Sequence, residues 1–213
     1  LKSEKKLPKE LWITSSDNFA SWGGGDASYH NSDLTSLMRA VDYLSVHTYP
    51  FHDTHYNPSF WKKVPGDNLT TKDERIDFAM EQATNYAKMQ YAQVKTHMQS
   101  LGIDKPIHIG ETGWATKSNG FYGAKGSRAA DEYKQALYFT KMLDWATKNN
   151  ITMIYFSAFD ESWKDDNSPD ASENNFGLFT IEGKAKYALW PLIDKGIFKV
   201  LSREENGMPV EKT

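Results

Sequence analysis

The chain alternates short apolar runs with longer segments in which apolar residues recur every three or four positions. The short runs lie at residues 11–14, 41–49, 107–110 and 151–159, and their length is typical of buried strands. The fourth run is almost entirely apolar, which predicts a strand that is buried on both faces. The longer segments predict helices at residues 33–40, 71–101, 128–149 and 184–194.

The clearest helix begins at Thr71 and stops at Gly102. Thr71 and Glu74 have the spacing of a capping box, in which the hydroxyl and the carboxylate each satisfy a free backbone N–H. One apolar face then follows at helical spacing: Ile76, Met80, Ala83, Ala87, Val94, Met98 and Leu101. The next helix places a second set on one face: Tyr133, Leu137, Thr140 and Leu143.

Four strand-then-helix units in series predict an α/β fold with a parallel sheet, because each helix is the crossover between neighbouring strands. A closed (β/α)8 barrel needs eight such units and roughly 250 residues. The pattern therefore leaves two architectures open: an open four-stranded sheet, or half of a barrel whose first four units lie upstream or on another chain.

Composition narrows the class of protein. The 213 residues are 39% hydrophobic and 25% charged, which is typical of one globular domain spanning residues 1–213. The net charge of −3, without a basic block, argues against a nucleic-acid partner. No apolar run is long enough to span a membrane. The absence of cysteine excludes disulfides and thiolate nucleophiles.

The strand ends carry the candidate chemistry, because functional groups of α/β proteins gather just beyond the carboxyl ends of the strands. These ends are predicted at residues 15–17, 47–50, 111–114 and 160–164. They bring carboxylates, aromatic rings and a lysine to one rim. Such a set suits sugar chemistry, in which carboxylates act at the glycosidic carbon and aromatic rings form the walls of subsites.

Four segments also resemble motifs of glycoside hydrolase family 17, the β-1,3-glucanases. IGETGW (residues 109–114) is similar to the strand-seven motif, and FSAFDESWK (156–164) to the strand-eight motif. ENNFGLF (173–179) resembles the segment that follows, and VDYLSVHTYPF (41–51) the strand-six region. The resemblance implies that residues 1–213 form the C-terminal half, strands five to eight with their helices, of a (β/α)8 TIM barrel.

The family resemblance implies a retaining hydrolase of laminarin-like β-1,3-glucan, with Glu111 as the nucleophile. The matching positions imply substrate-binding roles for Tyr49, Trp114, Glu161, Trp163, Lys164, Glu173 and Phe176. The acid/base of the family is a Glu preceded by Asn. This sequence has no Asn-Glu pair, so the acid/base is expected in an upstream half. The family also implies a secreted, periplasmic or cell-surface location.

Alternatives remain at this point. A β-1,3-glucanosyltransferase uses the same two-step chemistry, and a catalytically incomplete glucan-binding half-barrel would carry the same motifs. The expected partners are a β-glucan and either the missing N-terminal half or a second copy of the chain. A cluster of possible metal ligands consists of Asp53 and three histidines: His47, His52 and His55. Its spacing matches no usual metal-binding motif. We therefore predict no metal and no cofactor.

Overall fold

A computed structural model describes residues 6–66, 68–165, 167–202, 207 and 209–213. The strands and α-helices, in chain order, are β1 (Ser16–Asn18), α1 (Ser32–Ala40), β2 (Leu44–Thr48), α2 (Pro50–Tyr56), α3 (Lys72–Ser100), β3 (Ile107–Thr112), α4 (Glu132–Lys148), β4 (Met153–Tyr155) and α5 (Trp190–Asp194). Short 3₁₀ helices lie at Ala27–Tyr29, Ser172–Asn174 and Tyr187–Leu189.

Across the described ranges, the sheet has four parallel strands in the order β1-β2-β3-β4. Neighbouring strands are consecutive along the chain, and a helical crossover follows each of the first three. The predicted α/β fold with a parallel sheet is confirmed. All carboxyl strand ends therefore meet at one edge of the sheet.

The predicted capping box at the start of α3 is formed. The Glu74 backbone N–H donates to Thr71 Oγ1 at 3.2 Å, and the Thr71 N–H donates to Glu74 Oε2 at 2.9 Å. Gly102, at φ +66°, follows the last turn, as a helix stop requires. The predicted apolar face packs on the sheet, where Met80, Ala87 and the other central members are fully buried.

The prediction for the first strand was wrong. Residues 11–14 lie outside the sheet, and Leu11 and Trp12 are 46% and 58% exposed. This segment is attached instead by polar bonds, since the Ile13 N–H donates to the Asp42 carboxylate at 2.7 Å. The strand itself is Ser16–Asn18, residues that were expected to follow it.

The predicted burial of the fourth strand on both faces was also wrong. Ile154 in β4 is 60% exposed, because β4 is an edge strand with one face uncovered by any described residue. On α4, Tyr133 and Leu143 point away from the core and are 38% and 45% exposed. The buried face of α4 instead includes Gln135, Tyr138 and Met142.

The core lies between the helices and one face of the sheet, in two clusters. One cluster packs α3 and α4 against β3 around Ile109, Trp114 and Tyr138. The other packs α1 and the second half of α3 against β2 around Trp22 and Leu44. No helix in the described part of the chain is long and apolar enough to cross a membrane.

Candidate active site

Glu111 lies one residue before the carboxyl end of β3. Along the β2–β3 pair, Val46 is opposite Ile109 but His47 is opposite Glu111, so Gly110 is the extra residue of a β-bulge. Bulges change the direction of the side chain that follows and are common beside active sites. The Glu111 side chain is 39% exposed, and a ligand can therefore reach its carboxylate.

Tyr49 donates a hydrogen bond to this carboxylate. Its hydroxyl lies 2.9 Å from Glu111 Oε2. Burial, followed by the charge and the hydrogen bond of Glu111, raises the pKa of Tyr49 far above its usual range. The phenol therefore stays protonated and acts as a fixed donor to Glu111.

His47 is a site residue that sequence analysis weighed only as a metal ligand. Its Nδ1 lies 3.6 Å from Glu111 Oε2. Its Nε2 is 2.6 Å from Ser16 Oγ, which in turn lies 2.7 Å from Ser45 Oγ. The two-residue period of a strand places Ser45 and His47 on the same side of β2. This spacing was the signal that could have found His47.

Buried hydrogen bonds fix the backbone beneath Glu111. Thr112 Oγ1 donates to the Thr48 carbonyl at 2.8 Å and lies 2.7 Å from the Tyr138 hydroxyl. Gly113 follows directly, where a Cβ atom would overlap the Phe156 carbonyl oxygen. The chain after Glu111 can therefore turn sharply into the core, and the carboxylate is held on a rigid strand end.

Trp114 and Phe176 do not lie where the sequence predicted substrate contacts. They are 0% and 1% exposed, respectively. The Trp114 indole N–H donates to the Ala129 carbonyl at 2.9 Å, inside the core. Phe176 packs edge-on against the Tyr49 ring, with centroids 6.0 Å apart. Both rings are already buried, and any additional residues packed on this chain would bury them further. They therefore support the site from beneath instead of touching a ligand.

Trp163, Glu161 and Lys164 lie in the segment after β4. The Trp163 side chain is 66% exposed. Lys164 Nζ lies 3.2 Å from Glu161 Oε2 and 4.1 Å from the centroid of the Phe156 ring. This ion pair places both charges at the same rim as Glu111.

Glu173 joins the site through His52. Its Oε1 lies 3.9 Å from His52 Nε2, and His52 Nδ1 is 3.0 Å from the Tyr122 hydroxyl. Burial lowers the pKa of His52, against the opposing effect of the Glu173 and Asp53 charges. His52 is therefore neutral at pH 7 and links Glu173 to the Tyr122 hydroxyl.

Asp160, the first predicted residue of the fourth strand end, has a structural role. Its Oδ1 is 2.7 Å from Lys186 Nζ and accepts the Gly177 N–H at 3.0 Å. Burial raises the pKa of Asp160 and lowers that of Lys186, each against the effect of its partner. Over residues 6–66, 68–165 and the described tail, no group of three or more His, Asp or Glu side chains is placed to hold a metal ion.

Known proteins are similar to this chain in sequence or in fold. A glucan 1,3-beta-glucosidase of Arthroderma benhamiae is 38% identical over 93 residues, 40% of this chain and 28% of that protein. The crystal structure of an endo-laminarinase from Formosa Hel1_33_131 is 58% identical with a TM-score of 0.95, over 100% of this chain and 54% of that one. A glycoside hydrolase family 17 β-1,3-glucanosyltransferase from Rhizomucor miehei shares the fold at 21% identity and a TM-score of 0.58, over 88% of this chain and 53% of that one.

The chain thus spans between about a quarter and about half of the length of these relatives. The glycoside hydrolase resemblance predicted from the four motifs is confirmed by these relatives and by a family match. Residues 12–177, most of the chain, match the family described as the BtgE/BtgC glycoside hydrolase domain. The chain belongs to the BtgE/BtgC glycoside hydrolase domain family.

Proposed function

We propose that the protein hydrolyses β-1,3-glucan with retention of configuration, and that Glu111 is its nucleophile. The observation that carries this proposal is the placement of Glu111, which is solvent-accessible at a carboxyl strand end and bonded to the Tyr49 hydroxyl. Attack by the carboxylate on the anomeric carbon forms a glycosyl ester and breaks the bond to the leaving oxygen. Water then cleaves the ester.

A retaining site needs a second carboxyl group about 5–5.5 Å from the nucleophile, which protonates the leaving oxygen and later activates the water. Glu161 is paired with Lys164, and the family resemblance gives Glu161 and Glu173 substrate-binding roles instead of the acid/base role. We therefore propose that the acid/base comes from outside this chain. Its source would be an upstream half of the same polypeptide or a second copy of this chain. In this proposal, residues 1–213 are the C-terminal half of the catalytic barrel.

The substrate contacts proposed here follow from exposure and charge. Trp163 would stack on a glucosyl ring, while Glu161, Lys164 and Glu173 would bond to hydroxyl groups. Tyr49 would contact both Glu111 and the sugar. A relative at 58% identity is an endo-laminarinase, which favours hydrolysis within laminarin-like chains over transfer to a second sugar. On the family resemblance, we place the protein outside the cytoplasm: secreted, periplasmic or at the cell surface.

The test is the release of reducing ends from laminarin by the full-length gene product and, separately, by the 213-residue chain. We expect activity only in the full-length protein, and a loss of roughly 1,000-fold or more on Glu111→Gln. Activity in the chain alone would point to a second copy as the source of the acid/base. Full activity in the Glu111→Gln protein would reject the proposal.

A further inference from the structure

A cavity of about 530 Å³ lies on the same rim as Glu111, between α2 and the loop that follows β3. Its lining includes His55, Lys62, Asn119, Phe121 and Lys125. Pockets that bind small ligands have volumes of roughly 300–1,000 Å³ and combine aromatic walls with a few polar groups. The site described above uses none of these residues.

An aromatic platform forms one wall of this cavity. The rings of His55 and Phe121 are stacked, with centroids 4.1 Å apart and an interplanar angle of 8°. Phe121 is 56% exposed, and the neighbouring Tyr56 is 62% exposed. Flat, exposed rings of this kind suit the apolar face of a sugar, because they offer a large contact area with little loss of side-chain freedom.

The loop that holds Phe121 is tightly closed. The Ser127 N–H donates to the Phe121 carbonyl at 2.8 Å, and the Ala130 N–H donates to the Tyr122 carbonyl at 3.1 Å. A Cβ atom at Gly126 would overlap the Phe121 carbonyl oxygen. The platform is therefore built into the loop, and a ligand would not have to order it.

Two lysines contribute cationic donors to the lining of the cavity. Within the described ranges, Lys62 and Lys125 have no ion-pair partner, and no carboxylate lines the cavity. Asn119 adds an amide with both a donor and an acceptor. These groups can bond to the hydroxyl oxygens of a neutral sugar whose ring lies on Phe121.

Contacts between side chains connect the surroundings of the cavity to the Glu111 site. Tyr49 donates a hydrogen bond to Glu111, and its ring contacts the His52 ring. His52 Nδ1 lies 3.0 Å from the hydroxyl of Tyr122, the residue that follows Phe121. His55 follows Tyr49 by six residues along α2, which displaces it by roughly 9 Å along the helix axis. A separation of this size along α2 is within the length of a chain of several sugars.

We propose that this cavity is a remote subsite, which binds a glucosyl unit of the β-1,3-glucan chain away from the cleaved bond. The inference rests on the proposed function for the identity of the sugar. It goes beyond that function by assigning Phe121, with His55 beneath it, as the residue that lets the protein distinguish long chains from short ones.

Calorimetric binding to the full-length gene product carrying Glu111→Gln tests this inference without depending on hydrolysis. The probes are laminaritriose and laminariheptaose. Phe121→Ala should weaken laminariheptaose binding by roughly 3- to 10-fold and leave laminaritriose binding unchanged. Phe121→Trp, which keeps a ring, should retain the affinity. Tyr29→Ala, at a ring 47% exposed outside this platform, is the matched control and should alter neither affinity.

Equal loss for both sugars, an unchanged laminariheptaose affinity, or no binding of either sugar would overturn the subsite. The two proposals fail separately. If the wild-type protein does not hydrolyse laminarin, the catalytic proposal is rejected. The subsite proposal is tested separately, by the effect of Phe121→Ala on the binding of long and short sugars.

Discussion

Glu111 accepts a hydrogen bond from a phenol whose deprotonation is strongly opposed by burial and by Glu111 itself. Because this donor is permanent, the Tyr49 hydroxyl holds the Glu111 carboxylate in a fixed orientation. His47 Nδ1 lies 3.6 Å from the same carboxylate oxygen and is anchored through Ser16, which limits the directions in which the carboxylate can turn. These two contacts define the orientation of Glu111.

Tyr49→Phe should lower kcat for laminarin by roughly 10- to 100-fold, since a hydrogen bond to a charged group contributes about 1.5–3 kcal/mol. The ring and its packing on Phe176 are kept, so the melting temperature should stay close to that of the wild type. Steady-state kinetics and a thermal melt measure the two effects. An unchanged kcat would show that the Tyr49 hydroxyl does not serve the nucleophile.

The position of a residue in the fold explains whether its place in the site could be predicted from the sequence. Glu111 and Tyr49 follow from strand ends and from the family motifs. Trp114 could not be placed from sequence, because the turn at Gly113 and the bond to the Ala129 carbonyl decide that its ring enters the core. The contact of His47 with Glu111 depends on the bulge at Gly110, which shifts the strand register by one residue.

The β2–β3 pair is the element on which the site rests. At Gly110, a Cβ atom would overlap Ser45 Oγ and lie 2.8 Å from Ser16 Oγ. The absence of a side chain there allows the hydroxyls of Ser16 and Ser45 to approach each other and hold His47. The bulge, the serine pair and the direction of Glu111 therefore depend on one glycine.

Gly110→Ala should lower the free energy of unfolding by about 1–3 kcal/mol, because the added methyl group forces the neighbouring strands apart. Gly66→Ala is the matched control, since no atom lies within 4 Å of a Cβ atom there. Denaturant unfolding of the two variants and the wild type gives the comparison. A Gly110→Ala protein as stable as the control would show that the strand pair has room for a side chain.

The elements with strong local signals were predicted well. α3 followed from its capping box, its apolar period and Gly102, all of which act within the helix itself. β1 was misplaced because Leu11 and Trp12 form an apolar run without entering the sheet. The apolar residues of α4 lie on both of its sides, and the packing of Tyr138 and Met142 decides which side is buried.

For the whole molecule, the two faces of the sheet differ. The face toward the helices is buried, whereas the other face presents Ser16, His47 and Glu111, and β1 and β4 are its edges. Together with the 54% coverage of the Formosa endo-laminarinase structure, this asymmetry is the basis for proposing that further strands complete a barrel. The sequence pattern alone was equally consistent with an open sheet, because it records only the order of strands and helices.

Covalent trapping tests the central claim, that Glu111 is the nucleophile of a retaining glucanase, most directly. The full-length gene product would be incubated with an activated 2-deoxy-2-fluoro-laminaribioside, whose fluorine slows hydrolysis of the glycosyl-enzyme ester, and then digested for peptide mass spectrometry. We predict one added fluoro-disaccharide, attached through an ester to Glu111. Labelling at any other carboxylate, with Glu111 unmodified, would contradict the account.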